Sequence, residues 1–505
     1  MIPSLSELKT KWFVDVEMPD SFPPQQRHPG SKIKPSTDGN QVELLVEGAT
    51  VMADFHHRVE EMLAADDPSR GFILVAAMGI DPVKSLGEND PAPDAKSLML
   101  QAAEAGVQVY FLASGQGGLG AKSKKFAEQL ITQGGHGAID KRFPGLVGGH
   151  HQKFNVTRGV DGLWTGLVSS ADFFFARWDT ADHLPENPAR SSKGGPTHDA
   201  GLKVTGPAVA DIALTFAERW NDPSSAAHTE PPISEPISTD FLDQAMPAGG
   251  SHSVQVLRTF PLIQGKKGYS WSGTGEYTIW AAYLNAIKQA QEYVYIEDQY
   301  LYTFHDPPYI ETSHGVKRDT DLVYQLGEAL KRGVDVIAVV PGRNNVPWKH
   351  YEIQQRRRAA QYLHGIAESD PKHGNIVICL PHVGGKDITV HSKLMLVDDE
   401  YALVGSANIC ERSIAYISEL QLGVVDAENK LVRDMRLALW QEHLELDSPE
   451  TVLDPREGAA AFHQIALLAK GRLRLVPHTR MRPEFPYRFL MNKIIDPYSG
   501  PERAT

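Results

Sequence analysis

Cysteine is nearly missing from this chain. Its 505 residues include two, Cys379 and Cys410, each in or beside an apolar run. They read as buried free thiols and exclude a disulfide framework. Long apolar runs are missing as well, since none approaches the roughly 18 residues that cross a bilayer. Basic charge is in deficit: the net charge is −13 and the pI about 5.9. That is the wrong sign for a chain whose main partner is a nucleic-acid backbone. Residues 1–20 carry acids and no apolar core, which does not fit a secretory signal. The expectation is a cytoplasmic protein, or one secreted by a signal-independent route. No stable protein partner is implied, and a monomer is expected. No His/Cys/Asp/Glu spacing forms a convincing metal cluster, so no metal ligand is assigned.

What is present is an ordinary globular composition and enough length for two domains or one duplicated domain. Residues 1–48 are polar and Pro-rich, and the reading is an irregular arm. Apolar periodicity then predicts a helix over 49–65, a strand over 71–77, a helix over 94–105 and a strand over 107–113. Alternating strands and helices imply a parallel or mixed sheet covered by helices. Gly115-Gln116-Gly117-Gly118-Leu119-Gly120 matches a dinucleotide-binding pattern. It does not lie in the first strand–helix unit, so it is read as a flexible loop near the site. A Pro-rich linker over 228–238 divides the chain, and the second half restates the first. Asp199 and Glu419 each open a strand, and each is followed 21 residues later by a tryptophan, Trp220 or Trp440. The expected fold is an α/β, α-β-α sandwich. Two similar mixed-sheet halves, 49–227 and 239–470, are related by a pseudo-twofold axis with the active site at their interface. A tail over 471–505 wraps back onto the body.

The chemistry is concentrated in two copies of one pattern. His391-Ser392-Lys393 precedes an apolar strand, and Gly405-Ser406-Ala407-Asn408 follows it. His151-Gln152-Lys153 precedes another, followed by Ser169-Ser170-Ala171-Asp172. In an extended chain residues two apart project together, so each copy presents an imidazole beside an ammonium. One such pair is a common solvated strand rim; two in register are not. Displacement at phosphorus needs a nucleophile on one side and an acid on the leaving oxygen, which two histidines supply. Lys153 and Lys393 suit the non-bridging oxygens, with Ser170, Ser406, Asn408 and Asp172 as further phosphate-binding candidates. Asp199 and Glu419 suit the far ring nitrogen of a histidine, fixing its tautomer. This chemistry requires no cofactor.

His391-x-Lys393-x4-Asp398 with Gly405-Ser406-x-Asn408 resembles the doubled signature of the phospholipase D superfamily. His150-His151-Gln152-Lys153, Arg177-Trp178-Asp179-Thr180, Tyr295-Ile296-Glu297-Asp298-Gln299-Tyr300 and Ser418-Glu419-Leu420 are similar to stretches of true phospholipases D, plant and animal types included. The resemblance spans about 50–490 and looks like a bacterial-sized catalytic core without a preceding lipid-binding module. It implies hydrolysis of glycerophospholipids to phosphatidic acid through a phosphohistidine, with transfer to alcohols. A nuclease, another phosphodiesterase or a phospholipid synthase are the alternatives. By the resemblance His151 is the nucleophile, His391 the general acid and a membrane surface the substrate. Asp398 joins the catalytic set as the last member of the signature, although in the family it is largely a support. Its counterpart in the first copy is Arg158, so the first half's wall is expected to be rebuilt. Head-group preference and calcium dependence stay open.

Overall fold

The computed structural model describes residues 3–478, apart from 19–20, 22, 116–118, 143–148, 241–245, 247, 263–267, 274, 304–317, 343–348, 370–371 and 470. The glycine-rich stretch and the tail beyond 478 therefore fall largely outside the described residues.

Two mixed sheets carry the fold among the described residues, each built on the same seven strands with short strands added at its edges. The first contains β1 (Thr37–Val46), β2 (Phe72–Ala77), β3 (Gln108–Ser114), β4 (His136–Asp140), β5 (Phe154–Arg158), β6 (Trp164–Ser169) and β7 (Ala200–Thr205). Its spatial order is β4-β3-β2-β5-β6-β7-β1, with β2, β3 and β4 parallel and the remaining pairs antiparallel. The second contains β8 (His252–Phe260), β9 (Tyr293–Asp298), β10 (Asp335–Val339), β11 (Ile376–Val383), β12 (Lys393–Val397), β13 (Tyr401–Gly405) and β14 (Glu419–Asp426). Its order is β11-β10-β9-β12-β13-β14-β8, with β9, β10 and β11 parallel. The two orders and senses coincide strand for strand, as the internal repeat predicts. The equivalent edge strands β1 and β8 pair with each other and join the sheets.

Helices cover both faces of each sheet. Period-2 alternation sends Ile73, Val75 and Ala77 of β2 toward α2 (Gly48–Leu63), α3 (Ala95–Glu104) and α4 (Leu119–Thr132). Phe72, Leu74 and Ala76 turn to the other side, onto α5 (Ala208–Trp220). In the second half α6 (Thr278–Gln289), α7 (Leu322–Lys331) and α8 (Lys349–Ser369) lie on one face, and α9 (Leu431–Leu444) and α10 (Pro455–Leu468) on the other. Strands covered on both sides read as unbroken apolar runs, which is why β2 was legible as Phe-Ile-Leu-Val-Ala-Ala. Cys379 and Cys410 are free and buried.

The N-terminal segment differs from the irregular arm that its composition suggests. A short helix, α1 (Leu5–Trp12), starts at a capping box in which the Ser4 side chain accepts from Glu7 N and the Glu7 side chain accepts from Ser4 N. Trp12 stacks on Tyr401 of the second half with ring centroids 5.4 Å apart. Residues 37–46 then form β1, which buries Thr37, Asn40, Val42 and Leu45. The stretch read as a linker is laid onto the first half: Thr229–Glu230 pairs with β4, and the Glu235 carbonyl accepts from the Trp220 indole.

Candidate active site

His151 and Lys153 occupy the segment entering β5, and Lys393 is the first residue of β12, two after His391. Each lysine folds back on its own copy of the motif. Lys153 Nζ donates to the His151 carbonyl at 2.8 Å and pairs with Asp172 Oδ2 at 3.2 Å. Lys393 Nζ donates to the His391 carbonyl and to Gln299 Oε1, the latter at 3.3 Å. Both lysines are buried.

The carboxylates cross between the halves. His151 of the first half places Nδ1 2.9 and 3.0 Å from the two oxygens of Glu419, in the second half. His391 of the second half places Nδ1 2.7 Å from Asp199 Oδ1, in the first. Backbone pairing holds the crossing in register. His151 N donates to the Ser418 carbonyl at 2.9 Å, and Ser418 N donates to Gly149 at 3.0 Å. In the equivalent place His391 N and Ser392 N both donate to the His198 carbonyl, at 2.7 and 3.0 Å. Both histidines are therefore oriented through Nδ1, which leaves Nε2 of each for chemistry.

Burial dominates the electrostatics. It holds both imidazoles well below their ordinary range, reinforced at His151 by Lys153 and Lys393 and at His391 by Arg177 and Lys393. Burial also raises Asp199, against the pull of Arg177, and raises Glu419 to about 7, against that of Lys153. The site is thus a pair of neutral imidazoles within reach of several cations: a place for one anion.

Several residues singled out in the sequence do something other than expected. Ser170 and Ser406 were assigned to substrate phosphate. Instead the Ser170 hydroxyl donates to Asp199 at 2.6 Å, and the Ser406 hydroxyl donates to Glu419 at 2.5 Å. Each hydroxyl also accepts a backbone N–H, from Ala200 or Leu420, at 3.0 Å. They position the carboxylates and have little capacity left for a ligand. Asp172 does meet Lys153, while its other oxygen accepts Met78 N at 2.8 Å. Asn408 is buried, with Oδ1 unpaired among the described residues. Asp398, counted with the catalytic set, contacts neither histidine. It accepts three backbone N–H groups, from Gln291, Glu292 and Tyr293, where the chain enters β9. The wall is rebuilt at its counterpart: Arg158 donates to the Arg70 carbonyl at 2.9 Å, beside the entry to β2, and lies over the Trp164 ring.

Two arginines were not assigned. Arg177 exerts its charge on His391, and Arg412 on His151, crossing the halves as the carboxylates do. The repeat held a signal for them, because each follows the Asp172 or Asn408 position by four or five residues. The loop over 177–196 is described, as are 268–273, whereas 304–317 lie outside the described residues. Trp271 is stacked between His28 and Tyr269. Among the described residues no helix is long and apolar enough to cross a membrane.

A sequence model of the family described as "Phospholipase D" matches residues 165–314 and 380–490, together just over half of the chain. Phospholipase D A of Dictyostelium discoideum is 27% identical over 371 residues, covering 59% of this chain and 27% of that protein. Phospholipase D alpha 2 of Oryza sativa subsp. japonica is 27% identical over 360 residues, covering 54% and 43% respectively. The chain thus matches less than half the length of these relatives. Among solved structures, phosphatidylserine synthase of Haemophilus influenzae Rd KW20 superposes with a TM-score of 0.53 at 15% identity. That match covers 86% of this chain and 94% of the synthase, and it shows a shared fold.

Proposed function

The chain belongs to the phospholipase D family, and on that premise we propose that it hydrolyses glycerophospholipids to phosphatidic acid and a free head group, and passes the phosphatidyl group to alcohols as well. The observation that carries this reading is the crossed pair: two histidines, each oriented through Nδ1 by the opposite half's carboxylate, beside two buried lysines.

His151 Nε2 attacks phosphorus as the free base, because Nδ1–H is held by Glu419 and burial keeps the ring neutral. A P–N bond forms and the P–O bond to the head group breaks. The departing oxygen takes a proton from His391 Nε2. The anionic phosphodiester itself charges His391, since it offsets the cations that otherwise hold this ring neutral. Lys153 and Lys393 stabilise the non-bridging oxygens as charge builds on them. In the second step neutral His391 takes a proton from water or an alcohol. The resulting oxygen nucleophile displaces His151, and phosphatidic acid or a phosphatidyl alcohol leaves. His151 is assigned as nucleophile by resemblance. Its greater exposure agrees, with 17% of its side chain accessible against 5% for His391. The net charge of −13 favours a lipid over a polyanionic backbone.

The test is product analysis on phosphatidylcholine vesicles with ethanol present. Wild type is expected to yield phosphatidic acid and phosphatidylethanol, and His151→Ala neither, with turnover down roughly 10^4-fold or more. Cleavage of a simple aryl phosphodiester without any lipid product would replace the lipase reading with a nuclease one. Transfer without release to water would mark a synthase.

A further inference from the structure

Behind the catalytic pair stands a second group of histidines and carboxylates that the mechanism leaves unused. Glu47 at the entry to α2, His183 in the loop before β7, His198 beside Asp199, and Glu442 in α9 each turn one donor atom toward a common point. The four atoms lie within 4.8 Å of one another. His183 Nε2 is 3.4 Å from Glu47 Oε1 and 3.3 Å from Glu442 Oε1. His198 Nδ1 is 3.3 Å from Glu442 Oε1 and in direct contact with Glu47 Oε1. Glu47, His183 and His198 are at most 3% exposed, and the Glu442 side chain is 14% exposed.

We propose that these four residues bind one divalent transition-metal cation of the zinc class. Three of the spacings are those of a tetrahedron, in which metal–ligand bonds of about 2.0–2.1 Å put ligand atoms about 3.3–3.4 Å apart; the closer Glu47–His198 contact opens to admit the ion. The outer contacts fit as well, because each imidazole gives its remaining ring nitrogen to a carboxylate. His183 Nδ1 lies 3.0 Å from Asp179 Oδ2, and His198 Nε2 lies 2.8 Å from Glu297 Oε2. Those carboxylates are fixed in turn. Arg190 and the Thr197 N–H donate to Asp179, and Tyr295 and His443 engage the other oxygen of Glu297. Such outer carboxylates orient metal-bound histidines and raise their basicity. Charge also balances, since two carboxylates and a dication make a neutral set in a buried place. Glu47 Oε2 is buried and unpaired among the described residues, leaving that carboxylate free to adjust around an ion. Calcium and magnesium are disfavoured, because two of the four donors are imidazole nitrogens.

All four ligand positions come from the protein, so the ion is structural and activates no water. Its place explains its purpose. The His198 carbonyl accepts from His391 and Ser392, and Glu47 N donates to the Asp199 carbonyl at 2.8 Å. An ion joining Glu47 to His198 therefore clamps both sides of the Asp199–His391 pair. Without it, protons must hold the same two imidazoles against the same carboxylates.

Metal analysis of protein grown in zinc-supplemented medium and purified without chelator tests this. The expected content is one zinc per chain. Chelation is expected to lower the melting temperature, with recovery on adding zinc but not calcium. Cobalt in place of zinc is expected to give the intense visible absorption of a tetrahedral centre, and His183→Ala to abolish it. Asp179→Asn, which leaves all four ligands in place, is expected to weaken affinity about 10- to 100-fold. If His183→Ala does not fold, Glu442→Gln is measured in its place and is expected to lose the same absorption. Wild type that takes up no stoichiometric zinc and melts identically with and without chelator overturns the proposal. So does equal metal retention by wild type and these ligand variants. Either result leaves a proton-held ion-pair network.

Discussion

An imidazole attacks phosphorus only with a free lone pair on the attacking nitrogen, and at His151 that depends on who holds the proton at Nδ1. An ionised Glu419 accepts Nδ1–H and leaves Nε2 bare. A protonated Glu419 donates to Nδ1 and forces the hydrogen onto Nε2. Burial raises this carboxyl from 4.5 to about 7, so in the proposed mechanism kcat/KM falls as pH drops through about 7. Glu419→Gln presents an amide N–H to Nδ1 and fixes the wrong tautomer. We expect a loss of about 10^4-fold and no acid limb in the remaining pH profile. The folded chain holds the Glu419 proton more tightly than the unfolded one does. This group therefore favours folding below pH 4.5 and ceases to as pH rises through about 7, so mutation to Gln should flatten stability across that window. The His-x-Lys pairs, Asp199 and Glu419 were legible at this scale because strand spacing alone puts their side chains together. The serines' carboxylate contacts were not legible, because a hydroxyl near a phosphate site and one near a carboxylate look alike in sequence. Only the structure shows that Ser170 and Ser406 serve the carboxylates.

Among the elements, Asp398 separates support from chemistry. It sits at φ 55° and gathers three backbone N–H groups from the chain entering β9. Asp398→Ala removes the acceptor and places an alanine where a left-handed backbone is unfavourable. The expected cost is about 1–3 kcal/mol, read as a lower urea midpoint, with the turnover of the folded enzyme near wild type. Asp398→Asn tolerates the same backbone and should recover part of the stability. A large loss of turnover in fully folded Asp398→Ala would return this residue to the catalytic set. Strands were legible where both faces are covered, as in β2 and β12. β1 was missed because its apolar residues are few, Val42 and 44–46, and sit in a stretch whose composition argues for irregular chain. The histidine–glutamate cluster had no sequence signal, since its members at 47, 183, 198 and 442 come from four separate segments.

For the whole molecule, the repeat predicted two matching sheets but not how they interlock. Local spacing does not encode which half supplies a partner to the other. The structure answers with exchange: a shared apolar core, a β1–β8 seam, and carboxylates that pass in both directions. Halves joined this way should unfold together. We expect far-UV circular dichroism and thiol labelling of buried Cys379 to report one urea midpoint. A distinct earlier transition in either probe would show that the halves are separately stable.

The exchange also has a temporal side. His151 and Glu419 are 268 positions apart, so a ribosome makes the first histidine long before the carboxylate that orients it exists. Asp199, by contrast, is already waiting when His391 emerges. A nascent or prematurely terminated chain that ends before Glu419 leaves His151, the nucleophile of the proposed mechanism, without its orienting carboxylate. In the proposed mechanism, competence arrives only once Glu419 has been made and the second half has folded against the first.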